Sequence, residues 1–243
     1  MKITLLHLAL TLGLATVASS ASARPSLDPA GLPGTHSEII STTDITPKMG
    51  VQTSRMSEFG PLSILGQIGG AKSANEAAGY RAEFGIDDPA LLISSLVAAR
   101  LGELTSLPVR GVDSGLGDAD SYMQNRIQSP ADVAAKHGPG KLVVSASTQR
   151  WAFVKAGSTY RLQLIANVQV VDTDTGKRLA REDCITRLSR DDAPDIATFL
   201  DNEAASMKAE LDFGTRFCAA WLAGKLFGEE STTLRAVSGH ETD

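Results

Sequence analysis

The stretch that decides the fold is residues 141–171, KLVVSASTQRWAFVKAGSTYRLQLIANVQVV. Apolar and polar side chains alternate in both of its halves, Lys141 to Phe153 and Tyr160 to Val171, and a period of two residues is typical of half-buried β-strands. The residues between the halves, Lys155-Ala156-Gly157-Ser158, predict the turn of a hairpin. A second turn leads to a third strand, Arg178 to Leu188. The sequence therefore predicts a three-strand antiparallel meander.

Helices are predicted on either side of the meander. Asp88-Pro89 is typical of a helix start, with aspartate as N-cap and proline in the first position, and apolar residues follow at spacings of three and four up to Leu107. A shorter helix begins at Ser129-Pro130-Ala131-Asp132, which resembles a capping box, and ends at His137-Gly138. A long helix with one apolar stripe is predicted from about Asp195 to Phe227.

Two short strands, Glu38 to Ile45 and Val109 to Val112, complete the predicted elements. The fold class that follows is α/β, of the α+β type. We expect a mostly antiparallel sheet that contains the three-strand meander. Two main helices, one of them the long C-terminal helix, are expected to cover it.

The N-terminus has the pattern of a cleavable secretory signal peptide. Lys2 precedes an apolar run from Ile3 to Val17, and the small residues Ser19 to Ala23 follow. Ala21-Ser22-Ala23 matches the A-x-A cleavage pattern, so we expect cleavage between Ala23 and Arg24. The apolar run is shorter than the roughly 20 residues of a membrane span, and no later stretch is apolar enough for one. The mature chain is thus predicted to be periplasmic or secreted, without a transmembrane segment.

Composition divides the chain into four parts. Residues 1–23 are the signal peptide, and residues 24–37, rich in Pro and Gly, are predicted as a flexible leader. Residues 38–227 form a single predicted domain, and the polar residues 228–243 are predicted as a flexible tail. The chain has 23 Lys and Arg against 28 Asp and Glu. This acidic, evenly mixed composition argues against nucleic acid or anionic lipid as the main partner, since both select clustered cations.

Cys184 and Cys218 are the two cysteines of the chain. An even cysteine count in an exported protein favours a structural disulfide, and two separately buried thiols are the alternative. The bridge would close a loop of about 35 residues and stabilise the fold by roughly 3 to 4 kcal/mol. Because Cys184 lies on the third predicted strand and Cys218 on the stripe of the long helix, the bridge would fasten that helix to the sheet.

The sharpest chemical motif is Gly66-Gln67-Ile68-Gly69-Gly70-Ala71-Lys72-Ser73, which approaches a phosphate-binding loop. Ala71 replaces the second required glycine, and its side chain crowds the backbone that would hold phosphate. An exported protein also has no supply of nucleoside triphosphate. We therefore interpret the motif as a glycine-rich loop and predict no cofactor.

Metal and catalytic residues are not predicted either. The mature chain has the histidines His36, His137 and His240. None has a second histidine or a cysteine at zinc-ligand spacing, and His137 is interpreted as a helix C-terminal residue favoured by the dipole. Asp113, Asp118 and Asp120 do not follow the spacing of a calcium loop and are interpreted as a solvated turn. Carboxylate pairs for glycoside hydrolysis converge in space, so the sequence neither supports nor excludes them.

Several motifs of the C-terminal half carry a family resemblance. They are Asp172-Thr173-Asp174-Thr175-Gly176-Lys177, Cys184, Asp201 to Leu211 and Phe217-Cys218-Ala219-Ala220. On these motifs, about residues 88–227 resemble a family of uncharacterised exported proteins and lipoproteins of Gram-negative bacteria. The order of elements is also similar to the small α/β domains of envelope accessory proteins such as the curli-secretion lipoprotein. This chain lacks the anchoring cysteine of the lipoprotein members, and the resemblance implies no catalytic residues.

Three functional hypotheses follow, in this order. The first is a non-enzymatic periplasmic or secreted protein that binds a partner, another envelope protein, or supports envelope assembly. The second is a secreted hydrolase with carboxylates dispersed along the chain. The third is a small-ligand carrier that uses the space between helix and sheet. Converging carboxylates in a cleft would favour the hydrolase, whereas a free sheet edge or an exposed apolar patch would favour a protein partner.

Overall fold

The computed structural model describes residues 26–32, 34–44, 50–52, 80–112, 128–156, 159–187 and 198–228. Six strands in these ranges form one sheet. The strands are β1 (Glu38–Thr43), β2 (Gly50–Gln52), β3 (Val109–Gly111), β4 (Lys141–Ala156), β5 (Thr159–Asp172) and β6 (Lys177–Arg187). The main helices are α1 (Pro89–Thr105), α2 (Pro130–His137) and α3 (Asp201–Phe227). A short helical turn covers residues 80–84. None of the described helices combines the length and apolar composition that a membrane span requires.

The sheet is mixed, so the prediction of a mostly antiparallel sheet is wrong. Its strand order is β3-β1-β4-β5-β6, and β2 pairs with β4 as well. Strands β4, β5 and β6 are antiparallel neighbours, which confirms the predicted meander in part. Strand β1 pairs in parallel with both β3 and β4, and β2 pairs in parallel with β4. Parallel neighbours need a crossover connection, and α1 and α2 lie in the segments that return the chain in the same direction.

One face of the sheet, called the first face here, is apolar and packs against α1 and α3. Strand residues such as Val144 and Leu164 meet Ile93 and Val97 of α1 in one buried cluster. Phe153 packs edge-to-face on Phe199, with ring centroids 5.0 Å apart. The apolar residues of the alternation in the sequence are the residues that form this face, because alternate residues of a strand point to the same side of the sheet.

Helix α1 begins and ends by local rules. The Asp88 side chain accepts a hydrogen bond from the Ala90 backbone N–H at 2.8 Å, as the predicted N-cap requires. The helix ends at Thr105, two residues before the predicted Leu107, and Ser106 has a left-handed backbone with φ 60°. The residue before a proline avoids the helical region, so Pro108 already disfavours a helical Leu107.

The segment predicted as a flexible leader packs on the end of α3 where it is described. The backbone N–H of Leu27 donates to the carbonyl of Leu226 at 2.9 Å, and the Leu27 side chain is buried. A 3-10 turn, Pro29–Gly31, follows and is capped by Asp28. The last carbonyls of a helix lack partners within the helix, and this segment supplies donors to two of them. Its Pro and Gly content indicated a loop but could not reveal this docking.

Candidate functional site

The opposite side of the sheet, called the second face here, is only partly apolar. Ile40 of β1, Val143 of β4 and Val171 of β5 form a small cluster with Val133 of α2. Helix α2 contacts this end of the sheet through Val133, and it begins with a capping box in which Ser129 Oγ accepts from the Asp132 backbone N–H at 3.2 Å. The predicted start of this helix is therefore correct. Further along the same strands the side chains of this face are polar.

Six buried polar residues make up the polar cluster: five lie on adjacent strands, and Asp44 directly follows β1. They are Thr42, Asp44, Ser145, Ser147, Asn167 and Gln169. The register aligns Thr42 with Ser145 and Ser145 with Gln169, which gives one row across β1, β4 and β5. Ser147 lies opposite Asn167, and the backbone N–H of Asp44 donates to Ala146 O at 2.9 Å. Asp44, Ser147 and Asn167 thus form the second row.

Part of the polar cluster is satisfied within the described chain. Ser145 Oγ donates to Asp44 Oδ1 at 2.8 Å. The Gln169 amide donates to the carbonyl of Gln128 at 3.2 Å, and Arg178 Nε donates to Gln169 Oε1 at 3.1 Å. These contacts hold the residues just before α2 against the second face.

Five atoms of the polar cluster have no hydrogen-bond partner within the part of the chain that the structure describes. They are Thr42 Oγ1, Asp44 Oδ2, Ser147 Oγ, Asn167 Nδ2 and Asn167 Oδ1. Asn167 and Ser147 are completely buried, so solvent does not replace the missing partners. A buried polar group without a partner costs about 1 to 3 kcal/mol.

Asp44 is the acidic member of the polar cluster. Burial raises the pKa of its carboxyl to about 6, against the opposing effects of the hydrogen bond from Ser145, the backbone of Gln128 and the charges of Lys136 and Arg178. At pH 7 the group is thus ionised, but less favourably than in water. A carboxylate among hydroxyls and an amide can accept hydrogen bonds from a neutral or cationic group and repels an anion.

A second polar group lies at the turn between β5 and β6. His36 Nε2 lies 3.2 Å from Asp172 Oδ1, and both side chains are buried. Asp172 also accepts from the Asp174 backbone N–H and from Thr175 Oγ1, each at 2.8 Å. Burial acts to raise the pKa of Asp172, but the hydrogen bonds from Thr175, His36 and the turn backbone act in the opposite direction and outweigh it. The pKa of Asp172 is therefore below its usual value. This group fastens the N-terminal segment to the turn.

The same turn is a candidate metal centre by geometry. His36, Asp172 and Asp174 each offer one ligand atom, and these atoms lie within 4.8 Å of one another. However, Asp172 is already engaged by the turn, and Asp174 Oδ1 accepts from the Gly140 backbone N–H at 2.7 Å. The oxygen atoms that could bind a metal ion therefore already accept hydrogen bonds that hold the turn together. Sequence spacing could not find this group, because His36 and Asp172 are 136 positions apart.

The predicted cysteine pair is joined in the structure. A disulfide connects Cys184 of β6 to Cys218 of α3, with the two Cα atoms 5.6 Å apart. Both residues are buried on the first face. The bridge lies in the apolar core and fastens α3 to the sheet, away from the polar cluster.

The other sequence candidates are dispersed. His137 is the last residue of α2, and its pKa is lowered by burial and by the nearby charges of Lys136, Lys141 and Arg110. These effects lower the pKa of His137, whereas the helix dipole was expected to favour the protonated imidazole. Several candidates lie outside the described residues: Ala23 and Arg24 at the cleavage site, the loop Gly66 to Ser73, the acidic residues Asp113, Asp118 and Asp120, and His240.

Sequence reasoning missed the polar cluster because it assigned the polar half of each alternation to solvent. One signal was present. The second-face residues at the centre of the hairpin are uncharged, with Ser145, Ser147, Asn167 and Gln169 in place of Lys or Glu. Lys, Glu, Arg and Asp are the side chains that are least often fully buried, so their absence from these positions is compatible with burial.

Comparisons with known proteins leave the family of this chain open. No family model matches the chain, and no curated protein matches its sequence. One similar solved structure is the PelC dodecamer from Paraburkholderia phytofirmans, with 9% identity, a TM-score of 0.34, and 85% of this chain and 94% of that chain covered. Another is a DUF330 protein from Xanthomonas campestris, with 12% identity, a TM-score of 0.36, and coverage of 84% and 93%.

A third similar structure is a hypothetical protein from Chlamydia trachomatis. It shares 12% identity with this chain at a TM-score of 0.37, and the match covers 79% of this chain and 99% of that one. None of these likenesses is close enough to assign a family or a function. The functional argument rests on the residues of this chain.

Proposed function

We propose that this chain is an exported, non-enzymatic protein that binds another protein of the cell envelope. Its N-terminal sequence has the pattern of a signal peptide. The disulfide between Cys184 and Cys218 supports the same compartment, because structural disulfides persist in oxidising environments. These two features support export independently of each other.

The observation that carries the binding role is the outer edge of the sheet at β6. This strand is 11 residues long and comes last in the strand order, and it pairs with β5 alone among the described strands. Ile185 on this strand is 68% exposed, the largest value among the exposed large apolar residues of the described chain. A long edge strand with an exposed isoleucine is a template for pairing with another chain.

The charges on β6 define where a partner would bind. Arg181 and Asp183 are neighbours on the second-face side of the strand, with a nitrogen–oxygen distance of 3.7 Å. Charged side chains protect an edge strand from indiscriminate pairing, so the half of β6 around Ile185 is the less protected half. We expect the partner to add a strand there and to cover Ile185.

A hydrolase is the less favoured alternative. Glycoside hydrolysis needs two carboxyl groups that face each other across the scissile bond. Among the described residues, Asp44 shares the polar cluster with hydroxyls and amides and with no second carboxyl group. Such a set of groups supports binding rather than acid–base chemistry.

Site-specific photocrosslinking in the native envelope tests the proposal. A photoreactive amino acid at position 185 is expected to form a discrete crosslinked species, and Ile185→Arg in a co-purification experiment should lose the same partner. Leu91 on α1 is the matched control position, because it is 47% exposed on another element. An exported, folded protein that forms no adduct at 185, or forms equal adducts at 185 and 91, would contradict the proposal.

A further inference from the structure

We propose that the partner at the β6 edge is a second copy of this chain, joined through an antiparallel pair of β6 strands. The carrying observation is the segment Asp183-Cys184-Ile185-Thr186-Arg187, in the less protected half of the strand. This segment is complementary to itself when it is aligned antiparallel around Ile185. The inference rests on the function proposed above, because it uses the same edge and names the molecule that pairs there.

The register of β6 determines which of these positions share a face. Asp183 pairs with Asn167, and Ile185 pairs with Ile165. Side chains alternate between the two faces of a strand, so Asp183, Ile185 and position 187 belong to the second face, as Asn167 does. A two-fold axis perpendicular to the sheet keeps each face on its own side. These positions therefore meet the same positions of the second copy.

An axis through Ile185 brings complementary groups together. Ile185 then lies opposite Ile185 of the second copy, and each covers a side chain that is 68% exposed in the single chain. Asp183 lies opposite position 187, which is arginine in the sequence. The Asp183 side chain is 53% exposed, and its ion pair with Arg181 is long, at 3.7 Å. Symmetry repeats the new pair, so two opposite-charge pairs flank a central apolar pair.

Other two-fold registers of the same strand fit less well. An axis at position 181, 182 or 183 places a charged residue opposite its own copy, and an axis at position 184 places the arginines at 181 and 187 opposite each other. An axis at position 186 places Ile185 opposite an arginine. Like charges directly opposite each other destabilise a strand pair. The charges of β6 therefore select the register centred on Ile185.

The first-face side of the same edge carries an exposed aromatic side chain. Trp221 of α3 is 36% exposed, and it follows by three positions Cys218, which is bonded to Cys184 of β6. Ala219 and Ala223, on the other side of α3, are buried in the core. Residues three apart share a side of a helix, so Trp221 lies on the side of α3 toward β6. A second copy would thus cover an exposed apolar side chain on each face of the sheet.

The test uses the mature, disulfide-bonded chain and sedimentation equilibrium over a series of protein concentrations. The wild type is expected to form a reversible dimer. Asp183→Arg and Arg187→Asp are each expected to weaken the dimer by at least about tenfold, because both charge pairs become like-charged. Mixing the two variants should restore a dimer, since every pair in the mixed species is again arginine opposite aspartate. This rescue is specific to the antiparallel register centred on Ile185.

Asp212→Arg is the matched control for the change in net charge. The Asp212 side chain is also 53% exposed, but it lies on α3 and pairs with Arg216. This variant should dimerise like the wild type, whereas Ile185→Arg should lose the dimer. At low protein concentration, where the chain is monomeric, each variant should unfold close to the wild-type urea midpoint. Loss of the dimer is then separated from loss of the fold.

Photocrosslinking at position 185 in the native envelope separates this inference from the proposed function. A product with twice the mass of the chain that contains its peptides alone supports both. An adduct with a different protein overturns the second copy as the partner and leaves the proposed function standing, whereas the absence of any adduct contradicts both. A crosslink within one chain, a wild type that stays monomeric at every concentration, or a mixture of the two variants that does not dimerise would also overturn this inference.

Discussion

The two faces of the sheet are built from the same strands but differ in how their polar groups are satisfied. On the first face, Ser94 Oγ donates to the carbonyl of Val144 at 3.0 Å and lies 2.8 Å from Ser41 Oγ. On the second face, one residue along the same strands, Ser147 and Asn167 are buried, and atoms of both lack a hydrogen-bond partner among the described residues. The two faces therefore differ in composition: the first is mainly apolar, and the second is polar at the centre of β4 and β5.

This difference shows how one strand serves two purposes. In β4, Val144 and Ala146 join the apolar core, while Ser145 and Ser147 face the opposite side. Apolar residues at the second-face positions would stabilise the sheet, so polar residues that cost stability indicate a requirement other than folding.

The largest expected effect comes from the first face. Phe153→Ala should lower the free energy of unfolding by about 3 to 5 kcal/mol, because Phe153 is fully buried against Phe199. Urea unfolding followed by circular dichroism measures the change. Ile185→Ala on the exposed edge is the control and should change stability by about 0.5 kcal/mol or less. If the two variants lost similar amounts of unfolding free energy, Phe153 would not be a core residue in contrast to Ile185 at the edge.

The disulfide should have the next largest effect. Replacing Cys184 and Cys218 together by alanine should lower the free energy of unfolding by roughly 3 to 4 kcal/mol, since the bridge closes a long loop. Reduction of the wild-type protein should give a comparable loss. Non-reducing peptide mapping of the exported protein should join the two cysteines, and free thiols at these positions would contradict the docking of α3 through the bridge.

The smallest expected effect comes from the second face and depends on pH. The pKa of Asp44 is raised from 3.8 to about 6 in the folded chain. The folded state therefore favours the protonated carboxyl, and its stability falls as pH rises from about 4 to about 6. Asp44→Asn removes this loss and should stabilise the protein at pH 8 by up to about 3 kcal/mol, with little change near pH 4. Urea unfolding at the two pH values measures this difference.

Asp172→Asn is the matched control at the satisfied turn and should have the opposite sign. The pKa of Asp172 is lowered in the fold, so its ionised form stabilises the protein above its unfolded pKa, and this contribution is lost as pH falls through the folded pKa. The variant should therefore be less stable than wild type at pH 8, and the difference should shrink in acid. If both aspartate variants were destabilised at pH 8, the second face would not differ from the turn.

The local elements followed from the sequence because their causes are local. Asp88-Pro89 and Ser129 begin their helices by capping, which involves residues one to three positions apart. The meander follows from alternation and short turns within one stretch. The sequence favoured a bridge between the two cysteines and left two separately buried thiols as the alternative, and the structure joins them.

Only the tertiary structure decided the direction of β1, β2 and β3, the docking of the N-terminal segment and the composition of the polar cluster. Alternation tells which residues share a face, but it carries no information about neighbouring strands or about what covers a face. Thr42, Ser147 and Asn167 come from three strands, and the parallel pairing of β1 with β4 brings them together. The sequence by itself thus determined the elements and the bridge, whereas long-range pairing determined the candidate site.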